Sequence, residues 1–394
     1  MNLLYTSTSY LPAVGGAQLH QHFLAREMNK THSVKTVTQW DKNRSDWLRG
    51  TTINAPKNNK DYVVDGIPVH RFGISATDKL KLSPFVAAYY LCMGMSLSAI
   101  SAILEQYLIN EAGKASLIHN VRIGRAGLTA ASLRAARRFR IPFVLTPVHH
   151  PKWVGWPYQQ YINLYRKADG IFALTNSEKH TLAELGIQPE KIHVIGHGPI
   201  VSDTSNASAF TEKFGIASRF VLFLGQHYAY KGYQQLLEST QIVWQKHPDV
   251  RFVFAGPSIN RSDKVFNAFD DHRIHRLGHI SLQDKTNALS ACTLLCVPST
   301  QESFGGVYTE SWMFGKPVIG CEIPAVSEVI ENEVDGFLVQ QQPEMIAHRI
   351  IDLLDNPDLA SSMGESGRNK VSRLYSWSSI AKKAEEAYSH ILNS

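Results

Sequence analysis

Short runs of β-branched and aromatic residues alternate with helical spacing along almost the whole chain, and that alternation leaves few folds open. In the first half the strand candidates are 3–7, 34–38, 69–72, 116–121, 143–146, 170–174 and 192–195. Several are apolar on both faces, as buried parallel strands are. Helical patterns such as 18–29 and 128–139 lie between them. The pattern breaks at 199–218, PIVSDTSNASAFTEKFGIAS, a stretch whose Ser, Thr, Asn and Pro content predicts a linker. A second series follows at 220–224, 251–255, 275–277, 293–297, 318–321 and 337–339. The predicted class is α/β, with two Rossmann-like doubly wound domains (1–198 and 219–375) facing across a cleft. A last segment, 376–394, has Ile380, Ala384, Tyr388 and Ile391 in helical phase and is expected to pack back on the first domain. Ligands of such sheets bind outside the carboxyl ends of the strands, so the loops there carry the search for chemistry.

Composition narrows the class of protein. With 44% hydrophobic and 19% charged residues this is an ordinary globular chain. Its four cysteines (Cys92, Cys292, Cys296, Cys321) form no zinc-binding spacing and read as reduced core residues. The opening MNLLYTSTSYLPAVGG lacks a basic region followed by a long apolar run, which predicts a cytoplasmic protein. Residues 82–104 carry no charge, but Pro84, Gly94 and four serines dilute them, so a buried or surface-apposed helix is expected rather than a membrane span. Charge is uneven: 23 Lys and Arg face 12 Asp and Glu up to residue 200, against 17 and 22 in the rest. An anionic partner for the first half fits this imbalance, either the inner face of a membrane or a phosphate-bearing substrate, and a solvated basic face is the plain alternative. No nucleic-acid recognition motif is present, and none is expected as a partner.

Residues 295–339, LCVPSTQESFGGVYTESWMFGKPVIGCEIPAVSEVIENEVDGFLV, carry the densest set of chemical groups. A strand stops at Pro298 and Ser299. The loop then presents Glu302, Ser303, Phe304, Gly305 and Gly306, and a helix begins near Val307. Glycines at such a junction let backbone amides approach an anion, and the helix start adds positive potential. Glu310, about a turn into that helix, suits paired hydrogen bonds to vicinal hydroxyls, as on a ribose. Glu302, in the loop, faces the sugar end.

Four further loops follow predicted strands. FVLFLGQHYAYKG (220–232) runs through Gly225 and Gln226 to Lys231, a cation placed to neutralise a diphosphate. YLPAVGGAQ (10–18) puts Gly15 and Gly16 before a helix. LIHNVRIGRAG (117–127) carries His119, Arg122 and Arg125. VLTPVHHP (144–151) carries His149 and His150, either of which can take a proton from a hydroxyl as a neutral imidazole. No spaced carboxylate pair suggests a metal.

The Glu302-x7-Glu310 spacing, the SFGG turn, the Gly315, Lys316, Pro317 run and Gly336 resemble the donor signature of retaining glycosyltransferase family 4, which has the GT-B fold. The resemblance implies that Glu310 holds the nucleotide ribose and that Glu302 contacts the donor sugar. It implies that amides of 304–307 hold the diphosphate or sugar, that Ser303 and Lys231 belong to the donor site, that Gly15 and Gly16 admit the donor, and that a histidine at 149 or 150 serves the reaction. The co-substrate it implies is a UDP or GDP sugar, with no metal or other cofactor. The acceptor it implies is a saccharide, glycolipid or phosphate-bearing molecule, bound mainly by the first domain. Polysaccharide, lipopolysaccharide or glycolipid synthesis is the expected setting, in the cytoplasm and peripheral on the inner face of the plasma membrane. The chain departs from the pattern in three places. Gln226 stands where arginine is expected, with His227 beside it as the one candidate substitute. Val121 stands where a second histidine is expected, so His119 reads as a packed residue. His197, Gly198 and Pro199 replace the usual Asn-Gly. The resemblance is close from about 170 to 340 and loose from 40 to 115. A sugar-nucleotide epimerase and a non-catalytic relative of the same fold are the alternatives.

Overall fold

The computed structural model describes residues 1–13, 15–43, 47–122, 124–149, 153–216, 219–259 and 262–393. Two compact units result, one made of Met1–Gly196 together with Trp377–Ser394, the other of His197–Ser376.

The first unit is built on an eight-stranded sheet: β1 (Asn2–Ser9), β2 (Ser33–Trp40), β3 (Lys60–Val64), β4 (Ile67–Arg71), β5 (Leu117–Val121), β6 (Phe143–Thr146), β7 (Gly170–Ala173) and β8 (Ile192–Val194). The strand order is β3-β4-β2-β1-β5-β6-β7-β8. β3 pairs antiparallel with β4, and the other pairings are parallel. In β1 all residues but Asn2 are buried, as a strand covered on both faces requires. The chain builds outward from β1 on one side, then returns to start again at β5, so the order reverses between β1 and β5. β3 is absent from the sequence reading. It joins β4 through Asp65 and Gly66, both at positive φ (48° and 78°), a two-residue hairpin turn.

The uncharged stretch 82–104 is not one helix. Ala76–Ala87 and Met93–Glu105 are separate helices with a turn between them, and the second packs on the helix Gly127–Phe139. No described helix is long and apolar enough to cross a membrane.

The C-terminal helix Trp377–Leu392 belongs to the first unit and packs on the helix Gly16–Met28. Its Tyr388 hydroxyl reaches the core, 2.9 Å from the Tyr5 hydroxyl and 2.5 Å from His119 Nδ1. His119 Nε2 is 2.7 Å from Thr146 Oγ1. All four residues are essentially fully buried, so this is a satisfied polar chain tying the last helix to β1, β5 and β6.

The second unit is a six-stranded parallel sheet: β9 (Phe220–Leu224), β10 (Arg251–Ala255), β11 (Ile274–Gly278), β12 (Leu294–Val297), β13 (Val318–Cys321) and β14 (Gly336–Val339). Its order is β11-β10-β9-β12-β13-β14, and it reverses between β9 and β12. Cys292, Cys296 and Cys321 are free and buried in its core. The predicted linker 199–218 is corrected here. Residues 207–214 form a helix, Ala207–Phe214, capped by Asn206, whose side chain accepts the Ala209 N–H at 3.0 Å. Phe210 is buried against Phe220, and the Asn206 N–H donates to Asn287 Oδ1 at 2.8 Å. The polar composition supplies a helix cap and surface, while one phenylalanine supplies the anchor.

Candidate functional site

In each unit the loops that the sequence singles out lie at the carboxyl ends of the two strands between which the strand order reverses, where neighbouring loops diverge and leave a crevice, except that 144–151 follows β6, the next strand after β5. In the second unit these strands are β9 and β12. Gly225 ends β9 at φ 154°, and a Cβ on Gly256, after β10, would stand 1.9 Å from the Gly225 carbonyl oxygen. Only bare backbone lets these loops approach so closely.

The loops after β9 and β12 are stitched together. Lys231 ends a short helical turn, Ala229–Lys231. Gly232 follows at φ 78°, and a Cβ there would lie 2.5 Å from the Pro298 oxygen. Thr300 N–H donates to the Tyr230 carbonyl at 2.9 Å. Gln341 Nε2 donates to the carbonyls of Tyr230 (3.0 Å) and Pro298 (2.7 Å). Across this seam Lys231 Nζ lies 2.5 Å from Glu302 Oε1. Sequence reasoning assigns these two side chains separate tasks, and the structure brings them into contact.

The SFGG turn is fixed from beneath. Phe304 is buried, stacked on His197 at 5.7 Å and edge-on to Tyr375 at 5.2 Å. Gly305 has φ 85°, and a Cβ there would meet the Tyr308 ring at 2.4 Å. Tyr308 in turn donates to the Val297 carbonyl at 2.7 Å, which ties the helix Gly306–Trp312 to β12. Ser303, Gly306 and Val307 remain partly exposed. Burial holds the His197 imidazole down at about 4, so it is neutral where it underlies the turn.

Glu310 sits on that helix with 4% of its surface exposed. Its Oε1 is 2.8 Å from Lys285 Nζ, and its Oε2 is buried with no hydrogen bond of good geometry among the described residues. Burial pushes its carboxyl up, while the Lys285 ammonium and, more weakly, the Ile200 amide pull it back. A buried carboxylate oxygen in this state is a strong acceptor waiting for a donor such as a hydroxyl.

The departures from the expected pattern now have an environment. Gln226 is exposed at the end of β9. His227 does not replace the missing guanidinium. It is 1% exposed, enclosed by Phe223, Tyr233 and Phe266, and burial holds it down at about 4. A neutral imidazole in an aromatic cage offers an anion no charge.

In the first unit the reversal flanks β1 and β5. Gly16 opens the helix Gly16–Met28, and a Cβ there would meet nothing within 4 Å. Gly15 leaves room for Gln18, whose Nε2 donates to Ser9 Oγ at 2.9 Å. His119 is buried in the polar chain described above, and burial holds it down at about 3. His149 is 3% exposed, its ring edge-on to Trp153 and Tyr165, and its backbone N–H donates to Glu178 Oε1 at 2.7 Å. His150 lies outside the described residues. Sequence reasoning missed Lys285 as the partner of Glu310 and gave His197 no role. Neither has a local pattern that reveals it, because each acts across the fold.

Comparison with known proteins agrees with this geometry. Residues 15–198 match the family model described as glycosyl transferase 4-like domain, and residues 207–370 match glycosyl transferases group 1. The chain is 26% identical over 246 residues to the capsular polysaccharide biosynthesis glycosyltransferase CapM of Staphylococcus aureus, covering 57% of this chain and 62% of that one. It is 26% identical over 240 residues to the alpha-D-kanosaminyltransferase of Streptomyces kanamyceticus, covering 57% and 61%. The chain thus spans about half to three-fifths of the length of the curated relatives it matches. Among solved structures, Anabaena HepE in complex with UDP-glucose superposes with a TM-score of 0.76 at 18% identity, over 99% of this chain and 100% of that one. A Staphylococcus aureus TarM variant in complex with fondaparinux, alpha-GlcNAc-glycerol and UDP gives 0.69 at 15%, over 98% and 100%. Both likenesses show a shared fold, that of the GT-B glycosyltransferases.

Proposed function

Because this chain belongs to the group 1 glycosyltransferases, with a 4-like N-terminal domain, we propose that it moves a sugar from a nucleoside-diphosphate sugar to an acceptor hydroxyl with retention of configuration. The observation that carries the reading is the seam between the loops after β9 and β12. There a lysine and a glutamate meet beside a glycine turn, at the point where the strand order reverses.

Glu310 takes the ribose hydroxyls through its unsatisfied Oε2. The amides of 304–307 take the diphosphate or sugar, Lys231 the diphosphate, and Glu302 the donor sugar. Gly225 and Gln226 border the diphosphate, and the resemblance gives Gly15 and Gly16 a donor-side role. In the reaction the bond from the anomeric carbon to the diphosphate oxygen breaks, and a bond to the acceptor oxygen forms on the same face. The acceptor's proton passes to the departing diphosphate. Lys231 stabilises the negative charge that grows there, which a fixed ammonium in a partly buried site does well. The resemblance also gives a histidine at 149 or 150 a part in the reaction.

Relatives support the finer points. HepE was solved with UDP and with UDP-glucose, which favours a uridine donor. CapM serves capsular polysaccharide synthesis, which favours a polysaccharide or glycolipid acceptor. The test is release of UDP from UDP-sugars by the purified protein with candidate acceptors. The expected result is acceptor-dependent release that Glu302→Gln lowers by about 10²–10³-fold. Conversion of the sugar nucleotide to an epimer without acceptor would replace this reading with the epimerase.

A further inference from the structure

Arg122 follows β5 directly, at the point where the first sheet reverses, and its N–H donates to the Thr146 carbonyl at 3.0 Å. It is 6% exposed. The guanidinium carbon lies 4.0 Å from the centre of the Trp153 ring and 3.8 Å from that of Tyr161. Two aromatic rings therefore pack against the cation, and the favourable contact is with their π faces. The N–H edge of the guanidinium is a different matter. Among the described residues no carboxylate or carbonyl accepts from it, and Nε is buried without a partner.

An arginine buried this far normally ends on a carboxylate, because an unpaired buried cation is costly. The buried carboxylate of the helix Asn176–Glu184, Glu178, is engaged by backbone amides and makes no hydrogen bond or ion pair with Arg122 among the described residues. Glu178 accepts the His149 N–H through Oε1 and the Leu174 N–H through Oε2, both at 2.7 Å. The Tyr165 hydroxyl, within reach of the Arg122 charge, is also buried with no partner among the described residues. Burial pushes it up to about 12, so it keeps its proton and can donate. The two unsatisfied donors share a neighbourhood, since the His149 ring meets Tyr165 at 5.9 Å and also meets Trp153, which packs on Arg122.

We infer that Arg122 anchors an oxyanion, a carboxylate or phosphate, carried by the acceptor, with Trp153 and Tyr161 holding the guanidinium plane and Tyr165 supplying a further donor. Arginine suits this because its flat fork meets two oxygens at once, which a lysine ammonium does not. Naming the bound molecule an acceptor rests on the transferase reading. The oxyanion site itself does not.

Thermal unfolding at constant ionic strength tests the site, using D-glucuronate, D-glucose 6-phosphate and neutral D-glucose as probes. In the wild type at least one of the two anions should raise Tm by about 1–3 °C. Glucose should not. Glucuronate alone acting assigns a carboxylate, and glucose 6-phosphate alone a phosphate. Arg122→Met should abolish the anion shift and keep the shift given by UDP, which separates this site from the donor site. If Arg122→Met does not fold, Arg122→Lys serves in its place and should lose at least half of the shift. No shift with either anion in the wild type, or an undiminished shift in the variant, overturns the inference. A UDP shift that is absent from the start counts against the donor reading and leaves the anion result to stand by itself.

Discussion

Lys231 Nζ lies 2.5 Å from Glu302 Oε1, although the two residues sit on loops that follow different strands of the second sheet. The lysine is partly buried (20% side-chain exposure), so its charge is not freely screened. In the proposed reading a diphosphate entering the site competes with Glu302 for it, and Glu302 then becomes available to the sugar.

Removing either member should therefore have different kinetics. Lys231→Ala should lower kcat by about 10²–10³-fold and also weaken nucleotide binding, as loss of a charge-stabilising donor does. Glu302→Gln should lower kcat comparably while leaving UDP affinity near that of the wild type. Steady-state kinetics with a binding titration for each variant check both halves.

Gln226 stands exposed at the end of β9 with no cation in its place, since His227 beside it is buried and neutral. Gln226→Arg should restore a charge-assisted contact to the diphosphate and tighten UDP binding about tenfold or more, in line with roughly 1.5–3 kcal/mol for such a bond. A calorimetric titration of UDP reads the change, and salt should erode the gain.

Most of the strand list was legible because parallel strands buried on both faces leave uninterrupted apolar runs, as at Phe220–Leu224 and Leu294–Val297. β3 escaped because KDYVV is half exposed and carries only a partial apolar signal, although Asp65 and Gly66 beyond it are a recognisable hairpin turn. The helix Ala207–Phe214 escaped because its cap and surface are built from linker-like residues. In the site, Glu302, Lys231 and Glu310 were legible from spacing around glycines. Lys285 was not, because its contact with Glu310 is made across the fold by two helices 25 residues apart in sequence. The covering of Arg122 by Trp153 and Tyr161 has the same origin, since neither aromatic is local to the arginine.

The polar chain from Tyr5 through Tyr388 to His119 and Thr146 predicts a stability effect remote from the second sheet. Tyr388→Phe keeps the ring but strands the Tyr5 hydroxyl and His119 Nδ1. It should cost about 1–3 kcal/mol in urea denaturation. UDP affinity should not change.

Three histidines, the buried His119 and His227 and the half-buried His197, are held down at about 3, 4 and 4 respectively. Below their ordinary value of about 6.5 the unfolded chain takes up protons that the folded chain refuses. The stability they contribute is present above that value and lost as pH falls towards 4, on the order of a few kcal/mol in all. Glu178 acts the other way. Its carboxyl is raised to about 7, so its contribution is lost as pH rises from about 4.5 to 7. With three groups against one, denaturation midpoints should fall between pH 6.5 and 4, and His119→Gln should flatten that slope.

The central claim is a nucleotide site built around Glu310. Thermal unfolding with UDP, GDP and ADP, on the wild type and on Glu310→Ala, tests it without knowledge of the acceptor. A nucleotide at 100 times its dissociation constant adds about 2.7 kcal/mol to stability. The account predicts a clear rise in Tm with UDP that Glu310→Ala removes. No shift with any nucleotide, or a shift that Glu310→Ala leaves intact, would contradict it.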